Sequence, residues 1–214
     1  IFIIGRVGGE ANDLKAVNHP DGGQNPLGAD VDENADYLML NKEELGILKG
    51  LKGLKDEGKI SGIIVLFNSA NPMSCDFLTD DTYGVDAALW IGSVGQTGLY
   101  AVGDLLTGKV NPSGSLPDTW WTNNLLNPAM ANFGSYTYTN GSDYSFVSSP
   151  AKYTSYVVYQ EGIYLGYKYT ETRYEDFVMG TGNGAEYGHD HVVPYPFSYR
   201  PSHTDGEHGT PGVR

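Results

Sequence analysis

The chain has 214 residues, enough for one large domain with a substantial buried core. Its 26 acidic residues against 13 basic ones give a formal net charge of -13, so no basic excess exists to displace counterions from nucleic acid or an anionic membrane. Cys75 is the single cysteine, which excludes an intrachain disulfide, and no apolar run reaches the roughly 20 residues that cross a bilayer. We expect a soluble chain whose compartment the sequence leaves open.

The first predicted elements are a buried strand, a long loop and a helix. Ile1–Ile4 is an apolar run ended by a glycine, the pattern of a strand buried on both faces of a mostly parallel sheet. The chain begins inside this run with neither a Met nor a turn before it, so we expect the natural protein to extend upstream. Leu14–Glu33, rich in Pro, Gly, Asn and Asp, is typical of a long functional surface loop. A helix is predicted to begin after Asn41, capped reciprocally with Glu44, and to continue up to Gly58.

Strand and helix patterns continue to alternate up to residue 106. Strands are predicted at Ile63–Phe67 and Val85–Ile91, and a short helix at Gly98–Leu106. Alternation of this kind predicts parallel strands joined by right-handed crossovers, with ligands bound beyond the carboxyl ends of the strands. The loops that follow the three strands are therefore expected to share one edge of the sheet.

The second half of the chain has a different character. Tyr, Thr and Ser alternate between Phe133 and Tyr174, which favours extended segments and hairpins over helices. Gly180–Arg214 lacks apolar periodicity, and residues 200–214 are predicted to form a mobile tail. The predicted fold class is α/β, with a mostly parallel sheet sandwiched by helices and an antiparallel, loop-rich later portion.

The Gly-rich stretch after the first strand, Gly5–Glu10, suits a phosphate or a sugar ligand. A dinucleotide loop would need the G-x-G-x-x-G spacing and a helix that begins at once, and neither is present. A Rossmann-like nucleotide binder is therefore disfavoured, and thermal shift with NAD or FMN tests it cheaply.

Five segments together resemble one known family, and they occur in that family's order. They are GRVGGEAND at residues 5–13, FNSANPM at 67–73, LWIGSVGQTG at 89–98, NPSGSLPDT at 111–119 and YQEGIYLGYKY at 159–169. The chain thereby resembles the α/β-sandwich, C-terminal-type domain of family 3 glycoside hydrolases of the β-glucosidase type, over residues 1–199. The resemblance implies an (α/β)6-sandwich-like fold that lacks its first strands here.

The same resemblance implies a split active site. It places the catalytic acid/base at Glu10, and it places the nucleophile, an Asp, on a separate (β/α)8 barrel domain that is absent from this chain. The expected activity is that of a retaining, exo-acting β-glycosidase acting on a β-linked glucoside or oligosaccharide, with the barrel domain as partner. Many members have Ser at the position of Gly8 and Gly at that of Ala11, and the pattern breaks after Tyr199.

Other residues receive supporting roles. Arg6 and Asp13 bracket Glu10 and are expected to support its loop through a charge-assisted hydrogen bond. Trp90, Trp120 and Trp121 can stack on sugar faces, although packing is the commoner role of tryptophan. No cofactor or metal is expected, since Gly188–His191 lacks partner ligands at recognised spacing. The alternative function is a non-catalytic module that binds carbohydrate or scaffolds a partner domain.

Overall fold

The computed structural model describes residues 1–6, 36–121, 127–131, 136–144 and 154–181. The elements in chain order are β1 (Phe2–Arg6), α1 (Lys42–Asp56), β2 (Ile64–Ser69), a 3-10 helix (Asp76–Leu78), β3 (Ala87–Trp90), α2 (Leu99–Leu106), α3 (Pro128–Ala131), β4 (Tyr136–Thr137), a second 3-10 helix (Gly141–Tyr144), β5 (Ser155–Tyr156) and α4 (Tyr167–Met179). This mixture confirms the predicted α/β class. Glu10, Asp13, the whole predicted loop at 14–33 and the predicted tail at 200–214 lie outside the described residues.

The central sheet has three parallel strands in the order β1-β2-β3. Ile4 is in register with Phe67, and Phe67 with Trp90. Because the strands are parallel, their carboxyl ends lie at one edge of the sheet, as the alternation of apolar runs predicted.

Helix α1 begins where the sequence places it. Asn41 Oδ1 accepts a hydrogen bond from the Glu44 backbone N–H at 2.8 Å, and Glu44 Oε2 accepts one from the Asn41 backbone N–H at 2.9 Å. This reciprocal pair is a capping box, and it satisfies two amide groups that a helix start would otherwise leave unpaired. Leu48, in the second turn, is fully buried in the core. The predicted capped helix with one buried face is confirmed.

The main core cluster lies on one face of the sheet, and Leu66 of β2 is buried on the other face. Its largest members include Ile4, Leu48, Phe67 and Trp120, and all four are at most 3% exposed. The prediction that the first strand is buried on both faces is wrong, because Ile3 is 57% exposed. Successive side chains of a strand point to opposite faces, so Ile3 points away from the core that Ile4 enters.

The later portion contains both a confirmed and a corrected prediction. Strands β4 and β5 pair antiparallel, with Tyr136 opposite Tyr156, as the extended pattern predicted. The expectation that extended segments are favoured over helices up to Tyr174 is wrong from Tyr167 onward, because α4 is a helix of 13 residues. It ends at Gly180, whose φ of 64° is left-handed and therefore favours glycine. No helix among the described ranges is long and apolar enough to cross a membrane.

Candidate functional site

The carboxyl edge of the parallel sheet is the candidate site. Strand β1 ends there at Arg6, β2 at Ser69 and β3 at Trp90. Open parallel sheets bind ligands beyond this edge, because the loops that leave the strands converge on it. In the sequence Glu10 follows Arg6 by four residues. The predicted acid/base is therefore close in sequence to the end of β1.

Arg6, at the end of β1, is buried and makes several hydrogen bonds. Its Nε donates to the Tyr37 carbonyl at 3.0 Å, and its two terminal nitrogens donate to the carbonyls of Gly5 at 2.9 Å and Met39 at 2.8 Å. The same two nitrogens donate to the two carboxylate oxygens of Glu44, each at 2.6 Å. A guanidinium has five N–H donors, so every donor of Arg6 has an acceptor within the described residues.

Glu44 is the charged partner of Arg6, and sequence reasoning identified it only as a capping residue. The Arg6 side chain is 2% exposed and the Glu44 side chain 17% exposed. The parallel double contact is the strong, bidentate form of an arginine–carboxylate pair. The two residues are 38 positions apart, so no local pattern predicts their contact. The expected role of Arg6 in supporting the Glu10 loop together with Asp13 stays a prediction.

The ends of β2 and β3 are tied together at the same edge. Trp90 Nε1 donates to the Ser69 carbonyl at 2.6 Å. The Ser69 hydroxyl donates to the Asn71 carbonyl at 2.9 Å and accepts from the Asn71 backbone N–H at 3.2 Å. These bonds fix the turn after β2 and hold the indole of Trp90, which is partly buried, against it.

Trp120 and Trp121 differ in exposure. Trp120 is 3% exposed and packs edge-on against Phe67, with ring centroids 5.0 Å apart, and against Trp90 at 5.9 Å. Its Nε1 is buried and has no hydrogen-bond acceptor in the part of the chain that the structure describes. Trp121 is only partly buried. The predicted sugar-binding roles of all three tryptophans stay predictions, and the packing of Trp120 makes its structural role the stronger one.

The segment before Trp120 is anchored to α4. Thr119 is fully buried, and its hydroxyl donates to Glu171 Oε1 at 2.8 Å. The adjacent Asp118 accepts a hydrogen bond from the Thr119 backbone N–H at 2.8 Å. Burial raises the pKa of Asp118 above its ordinary value, and the charge of Glu171 adds to that increase, while the Thr119 hydrogen bond opposes it. Among the described residues, no group of three or more His, Cys, Asp or Glu side chains could hold a metal ion.

The fold defines a class of protein: an α/β domain whose three parallel strands end at one edge of the sheet. The sequence model of the glycosyl hydrolase family 3 C-terminal domain matches residues 1–167, which is more than half of the chain. The chain therefore belongs to the glycosyl hydrolase family 3 C-terminal domains, and the resemblance seen in its sequence is confirmed.

Named relatives support the same family. The chain is 30% identical to beta-glucosidase A of Butyrivibrio fibrisolvens over 178 residues, which cover 83% of this chain and 17% of that protein. It is 26% identical to a beta-glucosidase of Ruminococcus albus over 208 residues, 97% of this chain and 16% of that protein. It is 28% identical over 96 residues to "Probable beta-D-xylosidase 6" of Arabidopsis thaliana, with coverage of 43% and 12%. The chain thus spans less than a fifth of the length of each of these relatives.

Proposed function

We propose that this chain is the acid/base-bearing domain of a retaining, exo-acting β-glycosidase that hydrolyses terminal β-linked sugars, most closely a β-glucosidase. The observation that carries the proposal is the position of Glu10. It follows the carboxyl end of β1 within a domain of glycosyl hydrolase family 3. Two of the named relatives are β-glucosidases, which supports a glucoside as substrate.

Hydrolysis of a glycoside needs two carboxyl groups. One protonates the departing oxygen, while the other attacks the sugar carbon from the opposite face and forms a covalent glycosyl-enzyme intermediate. In the retaining reaction the two groups stand roughly 5 Å apart. Glu10 supplies the proton in the first step, and in the second step it removes a proton from the water that attacks the intermediate.

The nucleophile is an Asp of a (β/α)8 barrel domain, which these residues do not contain. This division of the active site means that neither domain catalyses the reaction alone. The carboxyl edge of the parallel sheet, with Arg6, Ser69 and Trp90 at the strand ends, faces that partner and the substrate.

Release of p-nitrophenol from an aryl β-glucoside tests the proposal. The isolated chain should release none, whereas the intact enzyme that contains the barrel should be active. In the intact enzyme Glu10→Ala should remove the alkaline limb of the pH dependence of kcat/KM, because that limb reports the protonated acid. Glu43→Ala is the matched control, since Glu43 is an exposed glutamate in the first turn of α1.

Two results would contradict the proposal. Activity of the isolated chain at a rate comparable with the intact enzyme would show that no second domain contributes a catalytic group. An alkaline limb that persists in Glu10→Ala would assign the acid to another residue. Oligosaccharide binding by the isolated chain, together with no glycoside hydrolysis by the full-length protein, would instead identify a non-catalytic binding module.

A further inference from the structure

Three tyrosines of the small antiparallel sheet project from the same face of it. Tyr136 of β4 is opposite Tyr156 of β5, and Tyr138 follows Tyr136 by two positions, which places it on the same side of the strand. The Tyr138 backbone N–H donates to the Thr154 carbonyl at 2.8 Å, so the pairing of the two segments continues through this residue. We propose that Tyr136, Tyr138 and Tyr156, here called the tyrosine platform, bind an uncharged β-linked polysaccharide chain by stacking on its sugar rings.

The three rings are in contact with one another and accessible to solvent. The ring centroid of Tyr156 lies 5.6 Å from that of Tyr136, with the planes inclined by 30°, and 4.8 Å from that of Tyr138, with the planes inclined by 37°. The exposed fractions of Tyr136, Tyr138 and Tyr156 are 39%, 46% and 41%. Offset rings leave part of each aromatic face uncovered. The tyrosine platform therefore offers aromatic surface to a ligand.

The aromatic pairs of the core have a different geometry. The ring planes of Phe67 and Trp120 are inclined by 68°, as are those of Trp90 and Trp120, and all three side chains are buried or partly buried. Edge-on contacts of this kind fill the space inside a core. Cross-strand aromatic pairs also stabilise a sheet, by roughly 0.2–1 kcal/mol each. That role does not require about two-fifths of every side chain to stay in solvent, so packing alone leaves the exposure of the platform unexplained.

The charge around the platform restricts the class of ligand. Residues 136–142 and 154–160, which include all three tyrosines, contain no Asp, Glu, Lys or Arg, and the whole chain has a formal net charge of -13. A polyanion would therefore find no cation on these segments and would be repelled by the net charge. An uncharged ligand meets neither obstacle. Tyrosine suits such a ligand, because it combines a rigid apolar ring with a hydroxyl that can pair with polar groups.

A carbohydrate is the uncharged ligand that the family favours, since the chain belongs to the glycosyl hydrolase family 3 C-terminal domains. Sugar rings have apolar faces that stack on aromatic rings, and three rings in a row suit successive units of a chain better than one monosaccharide. The platform belongs to a sheet separate from the parallel one, so this site is additional to the proposed active site. The choice of β-linked sugars rests on the proposed function, whereas the site itself rests on the tyrosines.

Native affinity electrophoresis of the intact enzyme tests the site. Gels that contain hydroxyethyl cellulose or mixed-linkage β-glucan, both uncharged, should retard the wild type relative to a gel without polysaccharide. Tyr138→Val removes the ring but keeps a residue that favours strands, and it should raise the apparent dissociation constant about tenfold or more. Tyr138→Phe keeps the ring and should stay within about threefold of wild type. Anionic carboxymethyl cellulose should cause less retardation than hydroxyethyl cellulose.

Three controls separate binding from folding and from catalysis. Tyr100→Ala removes a tyrosine of α2 that is 80% exposed and lies outside the platform, and it should leave the retardation unchanged. Hydrolysis of p-nitrophenyl β-glucoside by Tyr138→Val should match wild type, because a small glucoside does not need the platform. If the Tm of Tyr138→Val shows that this variant folds poorly, Tyr136→Val makes the same test at another ring of the row.

The outcomes distinguish this inference from the proposed function. Absence of retardation of the wild type in both uncharged gels, or equal retardation of the wild type and the folded valine variant, would overturn the inference. Self-association that Tyr138→Val abolishes, without polysaccharide binding, would also overturn it and assign the platform to a protein contact. Retardation that depends on Tyr138, in an enzyme whose Glu10→Ala variant keeps the alkaline limb, would contradict the proposed function alone.

Discussion

Trp120→Ala should lower the free energy of unfolding by about 3–5 kcal/mol, the usual cost of removing a large aromatic side chain from a core. The sequence allowed two roles for Trp120, packing and sugar stacking. Its 3% exposure and its edge-on contacts with Phe67 and Trp90 favour packing. A residue that stacks on a sugar would instead be accessible, and its loss would cost little stability.

The buried Nε1 of Trp120 affects how much stability each substitution at this position should cost. This N–H has no acceptor in the described part of the chain, and an unsatisfied buried donor costs about 1–3 kcal/mol. Trp120→Phe keeps a ring in the core and removes that donor. We therefore expect Trp120→Phe to cost less than about 2 kcal/mol, since the lost packing is partly offset.

Urea denaturation, followed by far-UV circular dichroism, measures both changes. Trp121→Ala is the matched control, because Trp121 is the adjacent tryptophan and is only partly buried, so its loss should cost less than that of Trp120. A loss below about 1 kcal/mol in Trp120→Ala would refute the packing argument. Weaker oligosaccharide binding by Trp120→Phe at unchanged stability would instead assign Trp120 to the substrate.

Three further changes test the fold. Asn41→Ala removes the side-chain half of the capping box and should lower the free energy of unfolding by about 1 kcal/mol in the same denaturation assay. Hydrogen bonds from Lys55 and from the Ile63 N–H hold the pKa of Asp86 below its ordinary value. The charged carboxylate therefore stabilises the fold fully at pH values above the ordinary pKa. This stabilisation is lost as the pH falls through the lowered pKa of the folded state. Asp86→Asn should therefore destabilise at neutral pH and match wild type at low pH, and a difference independent of pH would contradict this. Burial raises the pKa of Asp118, so the stability of the fold decreases as the pH rises from the ordinary pKa to the raised one. Asp118→Asn should therefore increase stability at neutral pH and give no such increase in acid. Destabilisation by Asp118→Asn at neutral pH would contradict the burial argument.

Elements with local signals were predicted well from the sequence. The capping box of α1 depends on Asn41 and Glu44, three positions apart, and the strands depend on apolar runs such as Ile63–Phe67. Local hydrogen bonds and side-chain periodicity determine both features, so the sequence around them suffices. The parallel direction of the strands followed from the alternation of these elements.

Features that depend on distant contacts were missed. The exposure of Ile3 depends on which face of the sheet the rest of the chain covers, and an apolar run carries no information about that. Helix α4 was missed because its Tyr and Thr residues favour strands, although Arg173 approaches Asp176 to 3.9 Å, one turn away, and Gly180 provides a helix end. The burial of Thr170 and the hydrogen bond from Thr119 to Glu171 are tertiary contacts of this helix that the local pattern does not carry.

In the candidate site, too, the local features were predicted from the sequence and the distant contact was not. The sequence identified Arg6 and its place beside the predicted acid/base, because both belong to one contiguous motif. It did not identify Glu44 as the partner of Arg6, since that contact joins residues 38 positions apart across β1 and α1. A glutamate at the third position of a helix is adequately explained by capping, so nothing in the pattern called for a second partner.

The most direct test of the account is azide rescue of Glu10→Ala in the intact enzyme with 2,4-dinitrophenyl β-glucoside. This substrate forms the glycosyl-enzyme without an acid, and azide then attacks the intermediate without needing a base. The account predicts that azide raises kcat and that the product is the β-glucosyl azide, while Glu43→Ala is indifferent to azide. Absence of rescue, or formation of the α-glucosyl azide, would contradict the assignment of Glu10 as the acid/base.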